Sequence, residues 1–151
     1  MPHESGSLQR YSTKLEIDTN PPEGADLKRT LVTKFVTLAL SHYTLESLMA
    51  GKVHALLTRP YPKGRDWYDL IWYRSLRPPL NPKQELLQNA LDQTRGKGSI
   101  NAALWQKLLI EKLDSLDIEQ LARDVNPFLE RAADRHLITR ENLGVVLGTN
   151  L

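Results

Sequence analysis

The clearest pattern of apolar and polar positions predicts two consecutive helices between residues 45 and 75. In the first helix, apolar side chains recur at helical spacing and form one continuous stripe: Leu45, Leu48, Met49, Val53, Leu56 and Leu57. The stretch Arg59–Gly64 contains two prolines and breaks this pattern. The helical pattern restarts at Arg65-Asp66, and a second, aromatic-rich helix is predicted from Asp66 to about Ser75. Lys52 lies inside the apolar stripe, so its ammonium group needs a partner if it is buried.

Two shorter patterns predict β-strands before these helices. From Tyr11 to Asp18, Lys14, Glu16 and Asp18 alternate with less polar positions, as they would in a strand with two different faces. A second strand is predicted over Phe35–Leu40, starting near Leu31. Because two strands are marginal as an independent sheet, the predicted sheet needs more strands than the sequence clearly supplies.

The rest of the chain has helical patterns, so we expect an α+β, mostly α fold. A short, partial β-sheet would pack on a C-terminal helical bundle. The expected organisation is a disordered N-terminus at 1–10, a region at 11–75 with the strands and the helix pair, and a helical domain at 76–151. Helix starts are indicated by capping and proline signals at Asn81-Pro82, Ser99 or Asn101, Asp117, Asn126-Pro127 and Thr139.

Composition narrows the class of protein. The 151 residues fit one domain, and the lack of cysteine excludes disulfides and thiolate metal sites. Because the sequence has no apolar run of membrane-spanning length and no signal-peptide pattern, we expect a cytoplasmic protein without membrane association. Between Lys52 and Lys83 there are seven Lys and Arg residues and two Asp residues. This excess would attract an anionic ligand, although a basic, solvated surface explains it equally well.

The candidate chemistry depends on a few charged side chains. The four histidines show no metal-ligand spacing, and no P-loop, dinucleotide fingerprint or serine-nucleophile motif is present. Carboxylates on a strand suit Mg²⁺, and an inward lysine suits a triphosphate. The alternative is that Lys52 only joins the two helices through an ion pair with Asp66 or Asp69. The candidate site residues are Glu16, Asp18, Lys52, Arg65, Asp66 and Asp69.

Three segments carry a resemblance to a known family. In chain order they are LEIDTNPP from Leu15, LESLMAGKVHALLTR from Leu45 and KGRDWYDL from Lys63. Together they resemble the later motifs of the AbiEii/AbiGii-type nucleotidyltransferase toxins. Toxins of this kind belong to bacterial toxin–antitoxin and phage abortive-infection systems. The helical tail, including DVNPFL from Asp124, is also similar to the C-terminal portion of the family.

The resemblance implies transfer of a nucleotide from a nucleoside triphosphate to an acceptor, with Mg²⁺ as the cofactor and with tRNA as the acceptor in some relatives. It implies that residues 11–75 form a partial nucleotidyltransferase core. Lys52 would contact the triphosphate, Asp66 and Asp69 would hold Lys52, and these three would be the catalytic residues. The resemblance also implies that Arg65 lies beside phosphate or acceptor. The metal ligand would be Glu16, with Asp18 as the alternative.

One departure from the family pattern concerns its first motif, a glycine-containing turn followed by Asp-x-Asp. The two aspartates of that motif carry the catalytic metals, and this sequence contains no Asp-x-Asp. We therefore expect a truncated or split C-terminal portion that does not transfer nucleotides without a complementary N-terminal half. The alternative is a non-catalytic helical module that binds RNA, a nucleotide or an antitoxin.

Overall fold

A computed structural model describes residues 12–148 of the chain. In this part of the chain it has a two-stranded antiparallel sheet followed by α-helices, which confirms the mostly α, α+β class. Short 3-10 helices lie at Ala102–Leu104, Asn126–Phe128 and Ala132–Leu137. The longer elements are β1 (Leu27–Val32), β2 (Leu38–Tyr43), α1 (Leu45–Thr58), α2 (Gly64–Ser75), α3 (Gln84–Arg95), α4 (Trp105–Leu113), α5 (Ile118–Val125) and α6 (Arg140–Leu147).

The strand predictions were partly wrong. Tyr11 lies outside the described residues, and residues 12–18 form no strand. Among residues 12–148, no strand lies beside this segment, so its backbone does not form the hydrogen bonds of a β-ladder. The single strand predicted over Phe35–Leu40 is instead a hairpin, because the chain turns at residues 33–37 and pairs β2 with β1. Phe35 therefore lies in the turn.

The helix predictions were confirmed in outline, and side-chain caps explain several helix starts. Thr44 accepts a hydrogen bond from the Ser47 backbone N–H at the start of α1. Asp117 caps α5 and Thr139 caps α6 in the same way. The predicted Asn81 cap was wrong: α3 begins at Gln84, and the Asn81 side-chain oxygen accepts a hydrogen bond from Arg74 instead.

One apolar core joins the α-helices of residues 12–148. The helix α1 packs on α2, α3 and α4, while α2 packs on α5 and α6. This core extends from Met49 to Leu147, so it crosses the predicted boundary between residues 75 and 76. The predicted domain division itself stays a prediction. The largest fully buried side chains are Trp67, Met49, Leu70, Leu87, Leu91, Leu109, Leu121, Leu143, Leu147, Val53 and Val125.

The apolar stripe of α1 is only partly buried. Met49, Val53 and Leu56 lie in the core as predicted, but Leu45 and Leu48 are exposed. These two side chains lie in the first turn of α1, next to the hairpin, which exposes every residue of both strands. Within residues 12–148, the sheet therefore buries little of its apolar surface against the helices. None of the helices within residues 12–148 is long and apolar enough to cross a membrane.

Candidate functional site

The side chains of Lys52, Asp66 and Asp69 meet where α2 packs on α1. The break at residues 59–63 reverses the chain direction, so the first turns of α2 lie beside the second half of α1. Lys52 Nζ lies 2.6 Å from Asp69 Oδ2 and 3.4 Å from Asp66 Oδ1. This ion-pair contact confirms the predicted proximity of the three side chains. Their catalytic roles stay predictions.

Asp66 is the buried centre of this cluster. Its side chain is 4% exposed, and both carboxylate oxygens are paired. Oδ1 accepts a hydrogen bond from Lys52 Nζ, and Oδ2 accepts one from Arg59 Nη1. The residue also lies in the first turn of α2, where the helix dipole stabilises a negative charge. A buried carboxylate is tolerable only with such partners, so Asp66 fixes the positions of both cations.

Arg59 is a member of the cluster that sequence reasoning missed as a site residue. Arg59 directly follows α1 and lies seven positions after Lys52, close to two helical turns, so its side chain leaves the end of α1 on the side of Lys52. This seven-residue spacing is the sequence signal that could have identified Arg59 as a site residue. Lys112 of α4 caps the C-terminal end of α1. Its Nζ donates hydrogen bonds to the carbonyl oxygens of Leu56 and Arg59 at 2.7 and 3.2 Å.

The Lys52 ammonium group keeps its charge at neutral pH. Partial burial opposes the charged form, but the hydrogen bond and charge of Asp69, together with those of Asp66, outweigh it. As a result, the pKa of Lys52 lies above its usual value of 10.5. The Lys52 side chain is 36% exposed, so part of it can be reached from solvent. A permanently charged, accessible lysine suits electrostatic contact with an anion better than proton abstraction.

Arg65 lies apart from this cluster. Its guanidinium group is 5.8 Å from the centre of the Phe128 ring, a distance typical of a cation–π contact. Among the described residues, no ion pair or hydrogen bond joins Arg65 to Lys52, Asp66 or Asp69. Arg65 instead lines a shallow cleft of about 270 Å³ between α2 and α5, with Asp124 on its other wall.

The proposed metal ligands do not form a magnesium site on their own. Glu16 is exposed and forms an ion pair with Lys14, while Asp18 Oδ1 accepts a hydrogen bond from the Asn20 backbone N–H at 3.0 Å. Residues 12–148 contain no group of three histidine or acidic side chains that could hold a metal ion. Because Mg²⁺ prefers several oxygen ligands in octahedral geometry, these residues do not fit the ion without ligands from elsewhere.

A groove of about 570 Å³ lies on another side of α1, between α1, α3 and residues 18–22. Gly51 and Leu48 line one wall, and Asp18 lies at its edge. His54 Nε2 and Thr94 Oγ1 are 2.8 Å apart in this groove. Burial, with the nearby charges of Arg59 and Arg95, lowers the pKa of His54 below its usual value of 6.5. The groove therefore presents a neutral imidazole and mostly apolar walls.

Comparison with known proteins places the chain in a family. A search of curated proteins and a search of solved structures each gave no match. A family model described as the nucleotidyl transferase AbiEii toxin of type IV toxin–antitoxin systems matches residues 2–140. This match includes the cluster of Lys52, Arg59, Asp66 and Asp69, and it covers most of the 151 residues. The chain therefore belongs to the AbiEii nucleotidyl transferase toxin family.

Proposed function

We propose that this chain provides the phosphate-binding part of a nucleotidyltransferase toxin. Lys52 would bind the phosphates of a nucleoside triphosphate, and Asp66 and Asp69 would hold its side chain in position. The family membership of the chain supports the reaction class. The acceptor that we propose is tRNA, and the biological setting is a toxin–antitoxin system that acts in phage defence.

The observation that carries this proposal is the partly exposed, charged Lys52 held by two carboxylates. The negative charge of Asp66 is almost fully buried, whereas the Lys52 and Arg59 side chains are 36% and 39% exposed. An approaching phosphate would thus meet two accessible cations and one accessible carboxylate, that of Asp69. Holding the lysine in advance lowers the entropy cost of binding the phosphate.

The reaction would proceed by attack of an acceptor hydroxyl on the α-phosphorus of the triphosphate. A new phosphorus–oxygen bond to the acceptor forms, the bond to the β-phosphate oxygen breaks, and pyrophosphate leaves. Lys52 would neutralise part of the negative charge on the leaving pyrophosphate, which is the main requirement of phosphoryl-group chemistry. Metal-binding aspartates would have to come from another polypeptide segment, because the described carboxylates do not fit Mg²⁺ alone.

A second candidate function is a non-catalytic module that binds RNA, a nucleotide or an antitoxin. The absence of Asp-x-Asp from the 151 residues favours this function for the chain by itself. Binding of RNA or a nucleotide would also place an anion at Lys52, so a binding module of this kind differs from the toxin in turnover and not in the binding step. Binding and transfer are therefore measured separately.

The binding test compares three forms of the chain by calorimetry with each of the four common ribonucleoside triphosphates. We expect Lys52→Ala to weaken binding of the preferred triphosphate at least about tenfold, because a charge-assisted contact is lost. Lys107→Ala is the matched control, because Lys107 is an exposed lysine on α4 outside the cluster. If Lys52→Ala lowers the melting temperature but leaves triphosphate affinity unchanged, Lys52 has only a structural role and the proposal is wrong.

The transfer test follows incorporation of labelled nucleotide into tRNA with Mg²⁺. We expect no incorporation by the chain alone, and incorporation when a polypeptide that carries an Asp-x-Asp strand of this family is added. Lys52→Ala should abolish the restored activity. Binding without restored transfer would favour the non-catalytic module, whereas transfer by the chain alone would refute the need for a second segment.

A further inference from the structure

The hairpin of β1 and β2 exposes apolar side chains on both of its faces. In the ladder, Leu27 pairs with Tyr43 on one face, and Thr30 pairs with Leu40 on the other. A two-stranded hairpin is at best marginally stable in water without a covered face. We therefore expect other strands or side chains to cover the apolar surface of this hairpin. The exposed large apolar residues between positions 27 and 43 are Leu27, Leu31, Val32, Phe35, Val36, Leu38, Leu40 and Tyr43.

The same hairpin is positively charged. Residues 27–43 contain Lys28, Arg29 and Lys34 but no aspartate or glutamate. The residues in register with Lys28 and Arg29 on β2 are His42 and Ser41. Neither of these partners is acidic, and within residues 12–148 neither cation forms an ion pair. Among residues 12–148, no other strand pairs with the outer edge of β1, which is called its free edge below. Lys28 and Arg29 are consecutive on this strand, so each face beside that edge carries a positive charge.

We propose that the free edge of β1 binds a β-strand of a polypeptide partner that carries carboxylate side chains on both faces. The strand would extend the hairpin through backbone hydrogen bonds. Its carboxylates would lie opposite Lys28 and Arg29, and its apolar side chains would cover the exposed leucines and valines. This surface lies outside the cluster around Lys52, and the inference does not rest on nucleotide transfer.

Two other occupants fit the surface less well. Single-stranded RNA would match the positive charge, but RNA recognition relies on aromatic stacking, and six of the eight exposed large apolar residues are aliphatic. A second copy of the chain would bring the Lys28 and Arg29 side chains of two hairpins together when β1 pairs with β1. Like charges opposite each other destabilise a strand pair, so this dimer is disfavoured.

The test titrates the ¹⁵N-labelled full chain with three probes. The first is a strand-length peptide of the repeat Val-Val-Glu-Glu, which places glutamates on both faces of the strand. The second has the repeat Val-Val-Lys-Lys, and the third is single-stranded oligouridylate. We expect saturable binding of the valine–glutamate peptide, with the largest amide shifts in Leu27–Val32. Reversing both charges, with Lys28→Glu and Arg29→Glu, should weaken this binding about tenfold, because two cross-strand charge pairs become repulsive.

The matched control reverses two exposed lysines away from the hairpin, Lys97→Glu and Lys107→Glu, and should leave the peptide affinity unchanged. If the reversed hairpin loses its strand signals, the neutral pair Lys28→Gln and Arg29→Gln replaces it, with a smaller loss expected. Equal binding of both peptides, tighter binding of oligouridylate, no saturable binding, or a dimer that the peptide does not dissociate would each overturn the proposal.

Discussion

The helices and the hairpin contain apolar side chains of the same kinds but differ in what they bury. In the helices, Leu70, Leu87 and Leu109 are fully buried, whereas Leu27 and Leu31 in the hairpin are mostly exposed. Full burial of a leucine contributes about 2 kcal/mol. The free energy of unfolding of this chain therefore comes from the helices, and an apolar residue of the hairpin contributes little until something covers it.

The strongest test of this difference replaces one aromatic side chain in each region. Trp67 is fully buried in α2, and Phe35 is 91% exposed in the hairpin turn. We expect Trp67→Ala to lower the free energy of unfolding by about 3–5 kcal/mol, through lost burial and the cavity that it leaves. Phe35→Ala should change it by less than about 0.5 kcal/mol. Urea unfolding followed by circular dichroism at a helical wavelength measures both values.

Similar losses of unfolding free energy in Trp67→Ala and Phe35→Ala would contradict the difference between the helices and the hairpin. They would mean that the turn residue Phe35 is packed in solution. A Trp67→Ala variant that does not fold agrees with the prediction for the helices. In that case Trp67→Phe, which removes less volume, provides a measurable intermediate value.

The helices were predictable from sequence because their signals are local. Apolar spacing and the caps Thr139 and Asp117 act within a few residues of each helix start, and both caps form as predicted. The strands were not predictable to the same degree, because a strand forms only with a partner. Residues 12–18 alternate like a strand but find no partner among the described residues, and the residues around Phe35 form a turn that aligns β1 with β2.

The candidate site was also predictable to the extent that its contacts are local. Lys52, Asp66 and Asp69 flank one short break, so a helix pair brings them together, and the ion pairs form. Arg59 was missed because it belongs to the proline-containing break, although it lies two helical turns after Lys52 at the end of α1. The resemblance implies that Arg65 lies beside phosphate or acceptor, which stays a prediction. Consecutive residues of a helix point about 100° apart, so Arg65 and Asp66 face different sides of α2. The Arg65 side chain therefore lies towards α5 and Phe128.

Two glycines test how tightly the helices pack. Gly64 lies where α2 contacts α5, and Gly51 faces the groove between α1, α3 and residues 18–22. A methyl group on Gly64 would overlap the backbone oxygen of Leu121 on α5, whereas a methyl group on Gly51 would meet no atom within 4 Å. We expect Gly64→Ala to lower the free energy of unfolding by about 2 kcal/mol or more. Gly51→Ala should raise it by up to about 1 kcal/mol, because alanine favours a helix interior.

Thermal and urea unfolding of the two glycine variants measure the predicted loss and the predicted gain in the free energy of unfolding. A destabilising Gly51→Ala would show that residues 18–22 or another segment packs closely over α1 in solution. An unchanged Gly64→Ala would mean that α2 and α5 separate easily, which would weaken the description of one continuous helical core.

The smallest expected effect concerns His54, which lies at the boundary between the helices and the groove. Its pKa in the folded chain lies below the usual value of 6.5, chiefly because burial disfavours the charged imidazole. Below pH 6.5 the unfolded chain therefore binds a proton more readily than the folded chain does. The stability contributed by the neutral imidazole is fully present above pH 6.5 and is lost as the pH falls through the lowered pKa.

We expect His54→Gln to remove this part of the pH dependence, because the glutamine amide can donate to Thr94 Oγ1 but does not titrate between pH 5 and 7. The measurement is the free energy of unfolding of both proteins at pH 7 and pH 5, and the difference between the two slopes isolates His54 from the carboxylates. His136→Gln, at an exposed histidine of a 3-10 helix, is the matched control. If His54→Gln keeps the full slope of the unmodified chain, the imidazole is solvated in solution. In that case water enters the groove between α1 and α3 as far as His54, and the tightly packed core begins deeper between these two helices.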